Sequence, residues 1–205
     1  MSGLMLFTGH TIAQTYEHFE FDTTTWVFPE KYQILEFEGK QSLLLEKTSD
    51  DVDGSWNAYL KEYDFSDGII EFDLFCPQKY ESYVGFFFRL NWYKEEPRYE
   101  LFYFRPFLTN EIGSVQYMPV NNGIVNWPDY VDFVYKSKGD IPWNEWIHVK
   151  AEIEGPCAIV SINDKEVMTV HNLGRGLSKG SVGLWLGNTQ RCYYANFKVA
   201  KQEGT

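Results

Sequence analysis

Residues 83–106, YVGFFFRLNWYKEEPRYELFYFRP, decide how the rest of the chain is read. Two aromatic runs, Tyr83–Trp92 and Tyr99–Phe104, flank the charged turn Tyr93–Arg98. Aromatic and β-branched runs around a polar turn with a proline predict a β-hairpin. Successive strand residues point to opposite faces. Val84, Phe86, Phe88 and Leu90 therefore share one face, and Tyr83, Phe87, Arg89 and Asn91 share the other. The first face is wholly apolar and requires a core. The second mixes rings with a guanidinium and an amide. It is either a partly covered groove, whose rings and few polar groups suit the CH faces and hydroxyl edges of sugars, or the second buried face of a thick sandwich.

Working outward, the chain has 205 residues, a length that suits one large all-β domain able to bury a sizeable core. Its 7 Trp, 14 Tyr and 16 Phe fit packed sheets or carbohydrate platforms. A net charge of -11 argues against a nucleic-acid backbone or an anionic membrane as partner. No apolar run approaches membrane-spanning length. The opening MSGLMLFTGHTIAQ has no basic region and too short an apolar run for a signal peptide. A cytoplasmic chain is the default expectation, beside a chain whose leader has been removed. Cys76, Cys157 and Cys192 are an odd set without motif spacing, and are expected as buried thiols. Oligomeric state is not legible.

Short strands and turns fill the remaining text. Tyr32–Phe37 and Ser42–Lys47 flank a Gly39 turn. Asp51 and Asp53 before Gly54 read as a surface turn or as a fragment of a structural calcium loop, though an EF-hand loop requires further ligands. In Ile69–Cys76 the apolar face is Ile70, Phe72, Leu74 and Cys76, with Glu71 and Asp73 opposite. Trp146–Glu154 places Ile147, Val149, Ala151 and Ile153 inside and Trp146, His148, Lys150 and Glu152 outside. Ser181–Gly187 leaves Trp185 opposite Val182, Leu184 and Leu186, and Cys192–Val199 is expected to bury Tyr193, Ala195, Phe197 and Val199. No useful helical period is present. The fold class is all-β, a two-sheet antiparallel sandwich in a single domain over residues 1–205.

The last third carries a resemblance. Trp143-Asn-Glu-Trp-Ile-His-Val-Lys150, Ala158-Ile-Val-Ser-Ile-Asn-Asp-Lys-Glu-Val167, Gly180-Ser-Val-Gly-Leu-Trp185 and Tyr193-Tyr-Ala-Asn-Phe-Lys-Val199 resemble the closing strands of concanavalin A-like lectin/glucanase jelly rolls. They are also similar to laminin-G-like relatives and to 3-keto-disaccharide hydrolase (sugar hydrolase-like) domains. Phe88-Arg89 and Tyr99-Glu100 resemble the paired strands of that group, and the likeness runs over roughly residues 55–200. It implies a jelly-roll sandwich with a saccharide on a concave aromatic sheet. Function still has to be argued from the site, because the fold serves lectins, glucanases, lyases and interaction modules.

Glycosidases of this fold often carry Glu-x-Asp-x-x-Glu on one strand, with two carboxylates about 5–5.5 Å apart in the retaining case. Glu71 and Asp73 match its first two positions, while Cys76 replaces the third. They are read as a catalytic pair or as solvated outer-face charges. Glu100 is a further catalytic candidate. Arg89, Tyr103, Arg105 and Gln116 are candidate ligand-binding residues, since guanidinium groups and a carboxylate beside tyrosines hydrogen-bond vicinal hydroxyls or a uronic carboxylate. Alternation separates Glu100 from Tyr103 and Arg105, so these line one groove only if a bulge intervenes. The alternative reading of Arg89 with Glu100 is a buried structural ion pair across the hairpin. Trp127 and Trp185, with Trp92 and Trp143, are candidate stacking rings. The histidines form no metal spacing, and no cofactor is expected. Two functions follow: a carbohydrate-binding or carbohydrate-active domain, with glycoside hydrolysis as its enzymatic form, and a laminin-G-like protein-interaction module without catalysis.

Overall fold

A computed structural model describes residues 15–47, 56–77, 82–121, 124–125, 135–174, 176–189 and 191–202. Among the described residues, sixteen strands build two sheets, numbered in chain order. The first sheet runs β14 (Lys165–Val170), β13 (Cys157–Ile162), β12 (Trp146–Glu154), β6 (Gly68–Phe75), β16 (Arg191–Lys201), β4 (Lys40–Glu46), β3 (Tyr32–Phe37), with β1 (Glu17–His18) also on β16. The second runs β10 (Ile124–Val125), β9 (Ile112–Asn121), β8 (Glu96–Phe104), β7 (Val84–Tyr93), β15 (Ser181–Leu186), β5 (Trp56–Leu60), β2 (Trp26–Val27), with β11 (Lys136–Lys138) also on β9. The pairings are antiparallel, so this is the expected two-sheet jelly-roll sandwich.

The alternating sequence explains the layering. Ile70, Phe72 and Leu74 of β6, Ile147, Val149, Ala151 and Ile153 of β12, and Phe86, Phe88, Phe102 and Phe104 of the β7–β8 hairpin meet in one core between the sheets. Each large side chain fully buried there stabilises the sandwich by about 1.5–3 kcal/mol. A second cluster lies on the outer face of the second sheet, formed by Phe87, Leu90, Tyr99, Leu101, Tyr103, Met118, Val120 and Trp185. A third, smaller one holds Leu44, Phe75 and Tyr193.

Among the register shifts of the described strands, two bear on the candidate site. The β7–β8 register shifts between Phe88 and Asn91, where Arg89 takes φ 56. Leu90, expected on the core face, therefore joins the outer cluster. The β16–β6 register shifts between Ala195 and Lys198, where Asn196 takes φ 53. Before this bulge Tyr194, not Tyr193, faces the core; after it Phe197 and Val199 do. A bulge adds one residue against its partner and reverses the phase beyond it, which a period-two reading cannot anticipate. Cys76 and Cys192 are buried, but Cys157 is half-buried on β13, where its thiol contacts the His171 carbonyl at 3.4 Å.

Candidate functional site

The outer face of the second sheet carries a row of residues in direct register across five adjacent strands. Gln116 of β9 lies opposite Tyr103 of β8, Tyr103 opposite Gly85 of β7, Gly85 opposite Trp185 of β15, and Trp185 opposite Asn57 of β5. With strands about 4.8 Å apart, the row is roughly 19 Å long. Three residues expected from sequence to bind ligand, Tyr103, Gln116 and Trp185, thus come together. The Tyr103 hydroxyl donates to Gln116 Oε1. Burial pushes the Tyr103 phenol well above its ordinary pKa, so it stays neutral. Gly85 puts no side chain between the rings of Tyr103 and Trp185, whose centroids are 5.7 Å apart. A Cβ there would lie 2.0 Å from the Phe102 carbonyl oxygen.

The row is buried, with Tyr103 at 1%, Gln116 at 2% and Trp185 at 6% exposure. Two half-buried rings, Tyr59 and Tyr83, pack against the cluster and are its solvent-facing members. Among the described residues, the Trp185 indole N–H and the Asn57 carbonyl oxygen find no hydrogen-bond partner although both atoms are buried. These two residues are cross-strand neighbours.

The other expected site residues fall elsewhere. Arg105 sits one strand end away, its Nε–H donating to the Gly113 carbonyl at 2.6 Å. Trp127 lies outside the described residues, as do Asp51 and Asp53 of the calcium reading. The β7 bulge carries Arg89 off the row. It is 4% exposed. Its guanidinium donates to Ser66 O at 2.9 Å, Gly155 O at 2.8 Å and the Asp67 carboxylate at 3.1 Å. The expected Arg89–Glu100 ion pair is thus replaced by Arg89–Asp67. Glu100 shares the core face with Phe88 and Phe102; it is fully buried and accepts the Tyr117 hydroxyl at 2.6 Å. Alternation in β8 is unbroken, so Glu100 and Tyr103 lie on opposite faces of the sheet.

Glu71 and Asp73 share the outer face of the first sheet with His148, which register places opposite Asp73. His148 Nδ1 lies 2.8 Å from Asp73 and Nε2 3.4 Å from Glu71. Lys40 and the Asn196 amide also bond Asp73, at 2.7 and 2.6 Å. Lys198, at 2.7 Å, and the Tyr16 hydroxyl bond Glu71. The β16 bulge aims Asn196 and Lys198 at these carboxylates. Burial works to raise the Asp73 pKa, but its bonds to His148, Lys40 and Asn196 prevail and lower it to about 2. Glu71 behaves alike: burial opposes, and Lys198 and Tyr16 hold it below its ordinary value. The bond to Asp73 raises His148 against the effect of burial. Both carboxylates are therefore ionised near neutrality, and neither is poised as a proton donor. Among the described residues no three His, Cys, Asp or Glu side chains are arranged to hold a metal.

Sequence reasoning missed His148, Asn57 and Gly85. His148 stood on the outward phase of β12, but its pairing with Asp73 exists only in the register. Nothing in the text around Asn57 marks it.

No protein-family model matches the chain, and no curated protein matches it. Solved structures do. A carbohydrate-binding module from Bacillus subtilis is 17% identical with a TM-score of 0.62, covering 86% of this chain and 96% of the module. A Bacillus licheniformis beta-glucanase is 11% identical with a TM-score of 0.62, over 94% of this chain and 100% of the enzyme. A lichenase derived from a mouse hindgut metagenome is 9% identical with a TM-score of 0.60, over 92% of this chain and 98% of its own. The chain shares the two-sheet jelly-roll fold of these structures.

Proposed function

We propose that the chain is a carbohydrate-recognition domain whose saccharide meets the outer face of the second sheet at the half-buried rings Tyr59 and Tyr83, which pack against the buried row Gln116–Tyr103–Gly85–Trp185–Asn57. One observation carries this reading: a buried indole N–H and a buried amide carbonyl, side by side, with no partner among the described residues. Leaving such a group unpaired costs about 1–3 kcal/mol, and native interiors keep few of them. A sugar hydroxyl accepts and donates at once. With the Tyr59 and Tyr83 rings that pack against the cluster moved aside, it would take the Trp185 N–H and give its own proton to Asn57. The fold shared with a carbohydrate-binding module and two glucanases supports the same class of ligand.

Recognition fits better than cleavage. Retaining hydrolysis requires two carboxyl groups about 5–5.5 Å apart, one of them holding a proton. Among the described residues the row contains no carboxylate. Glu100 faces the core, and Glu71 and Asp73 are ionised on the far sheet.

Titration calorimetry against a panel of neutral glycans tests this. We expect binding by the wild type, weakened about tenfold in Trp185→Phe, which keeps a ring and removes the N–H. Asn57→Ala should weaken it similarly. A glycan bound with equal affinity by all three proteins refutes the row. A panel in which nothing binds refutes saccharide recognition and leaves the laminin-G-like protein-interaction reading. A reducing-sugar assay should stay at background in wild type, Glu71→Gln and Glu100→Gln.

A further inference from the structure

Among the described strands, β3 is a long sheet edge with little to guard it. In the second sheet the end strands β10 and β2 have two residues each, and β11 has three, two of them lysines. In the first sheet, the other end strand, β14, carries Lys165 and Glu166 and a register shift against β13. Short strands, charges and bulges are the usual protection of an edge. β3, YQILEF, runs six residues in unbroken register on β4, with Glu36 its single charge and Ile34 38% exposed. Among the described residues no strand pairs with its free side.

The hairpin turn fixes which backbone groups are free. Glu38 and Gly39 take φ 47 and 76, the pattern of a two-residue type I′ turn, so Phe37 and Lys40 form the hydrogen-bonded pair that closes it. Such pairs alternate along the ladder. Gln33, Leu35 and Phe37 therefore spend their N–H and C=O groups on β4, while Tyr32, Ile34 and Glu36 direct theirs away from the sheet. Beside this edge is an open hollow of about 450 Å³ lined by Ile34, Leu35, Glu36, Gly39 and Gln41. Among the described residues no cation pairs with Glu36, and Lys40 is turned to Asp73 at 2.7 Å. On the outer face of the sheet, Leu35 and Phe37 pack against the third apolar cluster, Phe37 stacking on Tyr193 at 3.8 Å.

We propose that the β3 edge takes an extended peptide as an added antiparallel strand, with Lys or Arg opposite Glu36 and apolar residues opposite Leu35 and Phe37. Main-chain bonds to Ile34 and Glu36 hold the strand, and its side chains set the choice of sequence. Residues directly opposite share a face, so the cation meets Glu36 at the hollow and the apolar residues extend the Leu35–Phe37 surface. Charge selects a basic peptide over a second copy of this chain. Glu36 and Glu38 stand at the edge, and two chains of net charge -11 repel.

Fluorescence anisotropy with dye-labelled acetyl-Thr-Val-Arg-Val-Val-Thr-amide tests this. In antiparallel register its arginine faces Glu36 and its valines face Phe37, Leu35 and Ile34. Wild type should bind it, and exchanging its arginine for glutamate should weaken binding about fivefold. Glu36→Lys, a change at an exposed position, should reverse that preference. It should keep the wild-type glycan affinity, since β3 and the Gln116–Asn57 row are on different sheets. N-methylation of the peptide's arginine, which removes the N–H aimed at the Glu36 carbonyl, should abolish binding. No binding of the arginine peptide by wild type, equal binding of the N-methylated peptide, or equal binding of the glutamate peptide overturns the inference while saccharide recognition stands. A wild-type dimer in sedimentation velocity that Ile34→Lys disperses also overturns it, and assigns the edge to a second copy.

Discussion

At the scale of single residues, the buried polar groups have separable roles. Arg89 is a structural tie: one guanidinium joins the Ser66 carbonyl and Asp67 ahead of β6 to the Gly155 turn after β12. Arg89→Met should cost roughly 2–4 kcal/mol in chemical denaturation, because two carbonyls and a carboxylate lose their donor together. The same variant should keep its glycan affinity; a selective loss of binding at wild-type stability would place Arg89 in the site instead. The Asp73 cluster sets the pH response. Its folded pKa of about 2 lies below the ordinary 3.8, so Asp73 stabilises the fold above pH 4 and loses that contribution as pH falls towards 2. His148 has the opposite sign. Its raised pKa gives stability that is full below its ordinary 6.5 and is lost as pH rises through the folded value. Stability should therefore be greatest between about pH 4 and pH 6.5. The acid limb is worth on the order of 1 kcal/mol after solvent screening. Melting temperature against pH checks this: His148→Ala should flatten the alkaline limb, and Asp73→Asn should flatten the acid limb and weaken the alkaline one, since Asp73 is what raises His148.

At the scale of elements, the β7–β8 hairpin organises both faces of its sheet. Its core face carries Phe86, Phe88, Phe102 and Phe104; its outer face carries Phe87, Tyr99, Leu101 and Tyr103. Gly85 makes the row possible, since a methyl group there would press on the Phe102 backbone of the partner strand. Gly85→Ala must push β7 and β8 apart, and a loss of roughly 1–3 kcal/mol is expected from overpacking. Thermal denaturation measures it, and an unchanged melting temperature would mean that the strands give way freely. The two bulges have matching roles on the two sheets. One turns Arg89 off the Gln116–Asn57 row, and the other turns Asn196 and Lys198 onto the carboxylates of the opposite sheet. Both sit where an L residue is held at positive φ, a conformation kept only when surrounding contacts fix it.

At the scale of the molecule, the order of strands in the sheets differs from their order in the chain. β16, the last strand, lies between β6 and β4. Removing residues 191–205 would expose the edges of both neighbours and empty part of the core that Tyr194, Phe197 and Val199 fill. This truncation should yield no cooperatively folded protein by circular dichroism. A similar deletion that ends beyond Lys201 should fold normally. Ligand binding also acts on the whole: a saccharide that binds only the folded chain at a hundred times its Kd should add about 2.7 kcal/mol to stability.

The sequence by itself determined the all-β class, the hairpins, and the core faces of β6 and β12, because side-chain alternation is a local property that a strand carries along its length. It also marked Tyr103, Gln116 and Trp185 individually as residues suited to a sugar. Only the tertiary structure decided that these three align with Gly85 and Asn57, that Glu100 faces inward, and that Arg89 pairs with Asp67 instead of Glu100. Those outcomes depend on register and on two bulges. One added residue reverses the phase of everything after it, and pairing between strands far apart in the chain leaves no periodic trace in either of them.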